Sequence, residues 1–202
     1  MTTDISFPYP AGFLRKLLRL PILGYRMGLG GLLDAMQIMV LTTRGRSSGL
    51  PRHTAIEYRQ HGSKIYLVSV WGDRPHWYRN LLKCPEVTIQ QGGRVRAATA
   101  EQVTNSGEAL RVLHLFRRRA PSIYDSIIAR ISARESIDSR SLHEVTDNFT
   151  IVRIVPRAGE VKLPPVPVDA RWVIPVAAVG ISTALLLALL QLRAPRSKKH
   201  AG

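Results

Sequence analysis

The middle of the chain contains short runs that are rich in β-branched and other apolar residues, as strands are. The runs IMVLTT (38–43), HTAIEY (53–58) and KIYLVSV (64–70) follow this pattern. EVTIQQ and RVRAATAEQV flank Gly92-Gly93, which is typical of a two-residue hairpin turn. NFTIVRIV (148–155) is predicted as a last strand. Consecutive antiparallel strands with helices inserted late predict an α+β fold built on a small β-barrel.

Helices are predicted at PHWYRNLLK, with Pro75 in the first turn, and at residues 107–119 and 122–135. In the first of these, Trp77 and Leu81 are one turn apart, as are Tyr78 and Leu82, which is usual for core packing.

The N-terminal segment AGFLRKLLRLPILGYRM (11–27) has the pattern of a basic amphipathic helix. Phe13, Leu14, Leu17 and Leu18 fall on one face, and Arg15, Lys16 and Arg19 fall on the other. Such a helix would lie on a membrane surface or pack on its own domain. The following GLGGLL (28–33) is predicted to be a flexible joint.

Residues 172–192 contain no charged side chain. As a helix this run would be about 30 Å long, the thickness of a bilayer core, which predicts a single transmembrane anchor rather than a buried core helix. With no signal peptide recognised, we expect a single-pass protein of the cell membrane with a cytoplasmic domain. The basic tail favours the opposite orientation, which leaves the topology open.

This organisation predicts five segments. They are a helical arm (1–37), a barrel domain (38–157), a Pro-rich linker (158–171), the anchor (172–192) and a basic tail (193–202).

The formal net charge of +15 restricts the partners to anionic ones: nucleic acid, lipid headgroups or a small polyanion. Basic residues are dispersed and aromatic residues make up only 6% of the chain, which argues against nucleic acid. Membrane lipid is the simpler partner beside an anchor. A charge-only adaptor using FRRRAP (116–121) is a further alternative. With one cysteine, Cys84, and no closely paired histidines, we expect no metal site.

The segment LTTRGRSSGLPRHT places Arg44, Arg46 and Arg52 around Ser47, Ser48 and Gly49. Closely spaced backbone N–H groups and planar guanidinium donors together suit a phosphate or carboxylate. The alternative is an ordinary basic surface loop.

A second segment, SVWGDRPHWYRNLLKCPEV, adds Ser69, Gly72, Arg74 and Asn80. The two segments together resemble the deazaflavin-dependent nitroreductase family, split-β-barrel (FMN-binding-like) proteins that bind coenzyme F420. The resemblance covers residues 15–125. F420 carries a flavin-like ring, a phosphate and an oligoglutamate tail.

The resemblance implies a role for each of these residues. It places Arg46, Ser48, Gly49 and Arg52 at the phosphate, with Ser47 replacing the family's usual lysine. Arg44 and Arg74 would extend toward the glutamates, Ser69 and Gly72 would lie along the ring, and Trp77, Tyr78 and Asn80 would support it. Trp71 and Tyr124 would form the substrate wall, and Tyr124 or a water would supply a proton.

The resemblance therefore implies an oxidoreductase that transfers a hydride from reduced F420 to an apolar electrophile, a quinone or a nitro compound. The alternative is a membrane-tethered barrel that binds FMN, haem or lipid without catalysis. Barrels of this family often pair, which leaves a homodimer open.

Overall fold

The computed structural model of the chain describes residues 10, 12–118, 150–169, 171, 179 and 182. These residues form one seven-stranded sheet in the order β2-β1-β5-β6-β7-β4-β3, with every neighbouring pair antiparallel. The strands are β1 (Ile38–Arg44), β2 (Pro51–Glu57), β3 (Arg59–His61), β4 (Lys64–Ser69), β5 (Glu86–Gln91), β6 (Arg94–Gln102) and β7 (Thr150–Arg157). The helices are α1 (Gly12–Leu17), α2 (Leu20–Arg26), α3 (Gly30–Ala35), α4 (His76–Lys83) and α5 (Ser106–Arg117).

The sheet curls into a half-barrel. Strand β2 is one edge of the sheet, yet it contacts β4, which lies next to the other edge. On the concave face Ile56 packs against the core that contains Ile65 and Leu67, and α4 adds Trp77 and Leu81 to the same core. Burial of this shared apolar face favours the curled form over a flat sheet. An α+β half-barrel of this kind is consistent with the split-barrel prediction.

The predicted strands agree with the structure to within about two residues, and β3 is an addition to them. Gly92 has φ +57° in the predicted hairpin turn. Helix α4 begins at His76, one residue after Pro75, and Leu82 is 62% exposed, so the prediction that Leu82 packs in the core was wrong.

The N-terminal arm differs from its prediction in two places. The helix expected over 11–27 is interrupted, because Pro21 has no N–H with which to continue the hydrogen bonding of α1. The flexible joint expected over 28–33 is instead largely helix α3. Gly30 permits this packing, since a Cβ there would lie 2.9 Å from the Gly92 carbonyl oxygen. The Tyr58 hydroxyl donates to Asp34 Oδ1 at 2.7 Å and fixes the end of the helix.

Residues 158–169, predicted as a linker, lie against the convex face of the sheet, and we call them the strap. Leu163 and Val166 of the strap are buried. The Thr88 hydroxyl donates to the Leu163 carbonyl at 2.8 Å, and the Val166 N–H donates to Gln90 Oε1 at 3.1 Å. The strap is therefore part of the barrel domain.

The helix predicted at 122–135, with Tyr124, lies outside the described residues, as does the predicted anchor except for Val179 and Ser182. In the described part of the chain, no helix has the length and apolarity needed to span a bilayer.

Candidate cofactor site

The loop between β1 and β2 is a closed turn, and we call residues 45–52 the arginine turn. The Gly49 N–H donates to the Gly45 carbonyl at 2.7 Å, and the Gly45 N–H donates to the Leu50 carbonyl at 2.8 Å. Gly49 has φ +68°, a conformation that favours glycine. A Cβ at Gly45 would lie 3.1 Å from the Leu50 carbonyl oxygen and 2.8 Å from the Ser48 hydroxyl oxygen, so this turn favours glycine at both positions.

Asn80 of α4 fixes the arginine turn from the concave side of the sheet. Its side-chain oxygen accepts from the Arg46 N–H at 3.2 Å and from Arg46 Nη1 at 3.4 Å. Its side-chain nitrogen donates to Thr43 Oγ1 at 3.0 Å. Asn80 is only 4% exposed, so these bonds are made in a site with little competing water.

Two further side chains of α4 reach the same turn. Arg46 Nη1 lies 3.3 Å from His76 Nδ1, and Lys83 Nζ donates to the Arg46 carbonyl at 2.9 Å. Neither residue was predicted for the site. His76, Asn80 and Lys83 are spaced i, i+4, i+7 on one helical face, and this polar stripe is the signal that would have found them.

The exposed side of the arginine turn presents hydrogen-bond donors without a carboxylate. Arg52 Nη2 donates to the Ser48 hydroxyl at 3.4 Å. The backbone N–H groups of Ser47 and Ser48 have no partner among the hydrogen bonds of the described residues. None of the ion pairs between described residues involves Arg46, Arg52 or Lys83. Free amides beside two guanidinium groups are a donor set that fits a phosphate or a carboxylate.

The segment between β4 and α4 leads directly into the helix that holds the turn. The buried Ser69 hydroxyl donates to the Gly72 carbonyl at 2.7 Å, and Gly72 has φ +56°. The Arg74 N–H donates to the Trp71 carbonyl at 3.2 Å. Trp71 is half-buried here. The segment is therefore a defined turn, and Ser69 shapes it.

Trp77 lies in the concave core, where its ring meets that of Tyr78 edge-on at 5.9 Å between centroids. Burial, with a smaller contribution from the charge of Asp73, raises the pKa of the Tyr78 hydroxyl. Both side chains stabilise α4 within the barrel. Neither side chain is part of the donor surface of the turn.

Asn80 and its partners Thr43 and Arg46 form a group that we call the Asn80 cluster, and Arg44 does not belong to it. Thr43 faces α4, and successive side chains of a strand point to opposite faces, so Arg44 projects from the other face of β1. There it lines a cavity with Cys84 and Glu86.

In the part of the chain that the structure describes, no group of three histidine, cysteine or carboxylate side chains is placed to hold a metal ion. The fold and the site together define a half-barrel protein with a basic turn whose free N–H and guanidinium groups match the acceptors of an anionic group. Residues 24–136, more than half of the chain, match the family model described as F420H(2)-dependent quinone reductase, and the chain belongs to this family. It is therefore an oxidoreductase that uses coenzyme F420, as the resemblance of its two motifs implied.

Solved structures of similar shape include an F420-H2-dependent reductase (FDR-A), with 20% identity over 58% of this chain and 93% of that chain and a TM-score of 0.44. The haem storage protein HutZ from Vibrio cholerae matches with 17% identity over 70% of this chain and 92% of its own, with a TM-score of 0.44. A protein described as a domain-swapped dimer matches with 19% identity over 66% and 98% of the two chains, with a TM-score of 0.45. The assignment to the F420 family rests on the family match alone.

Proposed function

We propose that this protein uses F420H2 to reduce a quinone or another apolar electrophile, such as a nitro compound, and binds the cofactor's anionic end at the arginine turn. The observation that carries the proposal is the state of Arg46. Its backbone and guanidinium are both tied to α4, yet no described carboxylate neutralises its charge. A cation held rigidly and left without a counter-ion is preorganised for an anionic ligand.

Each part of the site has a task that follows from its position. Arg46, Arg52 and the free amides of Ser47 and Ser48 hold the phosphate, while Asn80 keeps their geometry. When bound, F420H2 supplies the hydride. The Ser69–Gly72 segment orients the ring because it leads directly into the helix that holds the turn. Trp71 and Tyr124 remain the proposed apolar wall, with Tyr124 or a water as the proton donor.

We propose that the reaction takes place at a cell membrane, where apolar quinones reside. The support is an exposed apolar surface on α1, α2 and α3, with Phe13 80% exposed. Its other large apolar members are Leu17, Leu18, Leu20, Leu23, Leu32 and Met36. Lys16, Arg19 and Arg26 are exposed beside them. An apolar surface bordered by cations suits anionic lipid headgroups, in keeping with the predicted anchor and a cytoplasmic domain.

The test is a titration of the full-length protein with oxidised F420, followed by the fluorescence of the deazaflavin. In an Arg46→Ala/Arg52→Ala variant we expect the Kd to rise by about two orders of magnitude, because two charge-assisted contacts to the phosphate are lost. The matched control is Arg94→Ala/Arg118→Ala, which removes the same charge at exposed positions. Equal Kd values in the two variants would overturn the assignment of the turn.

The same titration with FMN and haem tests the alternative cofactors. Tighter binding of either one than of F420, lost in the Arg46→Ala/Arg52→Ala variant, would favour a flavin or haem protein. Turnover with a quinone and with a nitro compound then distinguishes the substrates. A homodimer stays a prediction, which the mass of the protein in solution tests.

A further inference from the structure

A polar cavity lies on the opposite face of the sheet from the Asn80 cluster. It has a volume of about 220 Å³ and is bounded by β5, β6 and the beginning of the strap. Its lining includes Arg44, Cys84, Thr99, Arg157, Lys162 and Leu163. Since Thr43 faces α4 and Arg44 faces the cavity, strand β1 separates this cavity from the proposed cofactor site.

The lining of the cavity carries more cations than carboxylates. The side chains of Arg44 and Arg157 are exposed and make none of the side-chain hydrogen bonds or ion pairs between described residues, although both act electrostatically on Glu86. Lys162 is paired with Glu86 at 3.0 Å, and Glu160 is the other carboxylate of the lining. Three cations against two carboxylates leave a net positive lining, with both guanidinium groups available to a ligand.

Thr99 supplies an independent indication of a ligand. It lines the cavity and is only 9% exposed, and its hydroxyl oxygen has no hydrogen-bond partner in the described part of the chain. A buried hydroxyl without a partner destabilises the folded protein. The oxygen itself is buried from solvent, so the Thr99 side chain would turn toward the cavity to give its hydroxyl a partner on a ligand.

The size of the cavity and its apolar surface narrow the class of ligand. A volume of about 220 Å³ is several times the roughly 30 Å³ share of one liquid water, which leaves space beside a single anionic group. Ala97, Ala98 and Leu163 contribute apolar lining. We propose that this cavity binds a small organic anion, a carboxylate or phosphate monoester on a short apolar group. Arg44 and Arg157 bind the charge, and Thr99 makes a hydrogen bond.

Cys84 gives the test an internal probe, because it is the only cysteine of the chain and it lines the cavity. We would measure the rate at which iodoacetamide alkylates this thiol in the full-length protein, with increasing benzoate, phenyl phosphate or benzamide. A bound anion covers the thiol, so we expect at least one of the two anions to slow alkylation. The neutral benzamide, which has the same ring, should not protect.

The Arg44→Gln/Arg157→Gln variant removes both guanidinium charges. It should weaken the protection of the Cys84 thiol by about tenfold or more, since charge-assisted hydrogen bonds to the anion are lost. Arg94→Gln/Arg118→Gln removes the same charge elsewhere and should protect like the wild type. Protection by benzoate alone identifies a carboxylate site, and protection by phenyl phosphate alone identifies a phosphate site. Absence of protection by both anions, equal protection by benzamide, or protection unchanged in the Arg44→Gln/Arg157→Gln variant would overturn the proposal.

F420 binding, measured on the same variants, keeps this proposal separate from the function of the arginine turn. Arg44→Gln/Arg157→Gln should lose thiol protection and bind F420 like the wild type. Arg46→Ala/Arg52→Ala should show the reverse. Loss of F420 affinity in Arg44→Gln/Arg157→Gln would instead make the cavity an extension of the cofactor site and overturn its independence.

Discussion

Replacing Asn80 by alanine tests whether α4 holds the arginine turn in its binding geometry. The substitution removes the acceptor of the Arg46 N–H at 3.2 Å and the donor to Thr43 Oγ1 at 3.0 Å. The Thr43 hydroxyl then keeps only a 3.5 Å contact to the Arg52 carbonyl. Because Asn80 is buried, water does not readily replace the lost partner.

The magnitude follows from these contacts. Two hydrogen bonds are worth about 1 kcal/mol each in net stability, and a buried hydroxyl left with one long bond adds about 1 kcal/mol. We therefore expect Asn80→Ala to lower the free energy of unfolding by about 2–4 kcal/mol. The freed turn should weaken F420 binding by at least about tenfold, equivalent to 1.4 kcal/mol.

Urea denaturation and the F420 titration measure the two effects separately. Gln60→Ala is the matched control, since Gln60 makes one exposed bond to the Gly62 carbonyl at 3.1 Å and should change stability by less than about 0.5 kcal/mol. Asn80→Asp keeps an acceptor for Arg46 but loses the donor to Thr43 and neutralises the Arg46 guanidinium, so affinity should fall while stability falls less than in Asn80→Ala. A folded Asn80→Ala protein that binds F420 with the wild-type Kd would refute the reasoning.

Three further predictions concern the scaffold around the site. Tyr25→Phe leaves the Gly92 N–H without its 3.2 Å acceptor and should lower the unfolding free energy by about 1–3 kcal/mol in urea denaturation. Glu108→Gln neutralises the carboxylate that binds Arg153 at 2.8 Å and should cost about 1–2 kcal/mol by the same assay, and an unchanged midpoint would contradict it. Burial, with a smaller contribution from a nearby arginine, lowers the pKa of His53 below its ordinary value of 6.5, so the unfolded chain binds the proton more readily. Its contribution to stability is therefore lost as the pH falls below 6.5, and His53→Gln should flatten the change in stability between about pH 7 and pH 5.

The strands were predictable because their pattern reflects the sheet itself. Runs of β-branched and other apolar residues located β1, β4 and β5, and Gly92-Gly93 located the hairpin. Helix α3 was not predictable, because its sequence GGLLDA has poor helix propensity. Its stability comes from tertiary contacts, such as the close approach of Gly30 to the Gly92 carbonyl.

The strap shows the same limit of sequence reasoning. Its prolines predict a linker, since proline cannot donate to a ladder. Here the sheet supplies the hydrogen bonds instead, through Thr88 and Gln90, and Leu163 and Val166 become buried. Such long-range partners carry no local signal. The sequence pattern reports what a segment does alone, and the strap is ordered by residues about 75 positions away.

Residue types predicted the arginine turn, but they did not predict that Arg44 and Arg46 lie on opposite faces of the sheet. Charge alone placed Arg44 and Arg46 in one cluster, although the strand period puts Arg44 on the opposite face from Thr43. The helical period would have added His76 and Lys83, which share a face with Asn80. When the strand period and the helix period are applied to the charged residues as well as to the apolar ones, they separate the proposed cofactor site from the cavity.

The distribution of ion pairs explains why so basic a chain can keep a selective anion site. Excess positive charge attracts any polyanion nonspecifically, so net charge by itself does not select one ligand over another. Four of the described glutamates pair with cations away from the arginine turn, at Arg59, Arg153 and Lys162. The arginine turn is bound instead by a neutral amide, Asn80, which fixes Arg46 in place without cancelling its charge. The turn is selective for an anionic ligand because Arg46 has a neutral partner where an acidic one would cancel its charge. Asn80→Asp should therefore abolish this selectivity.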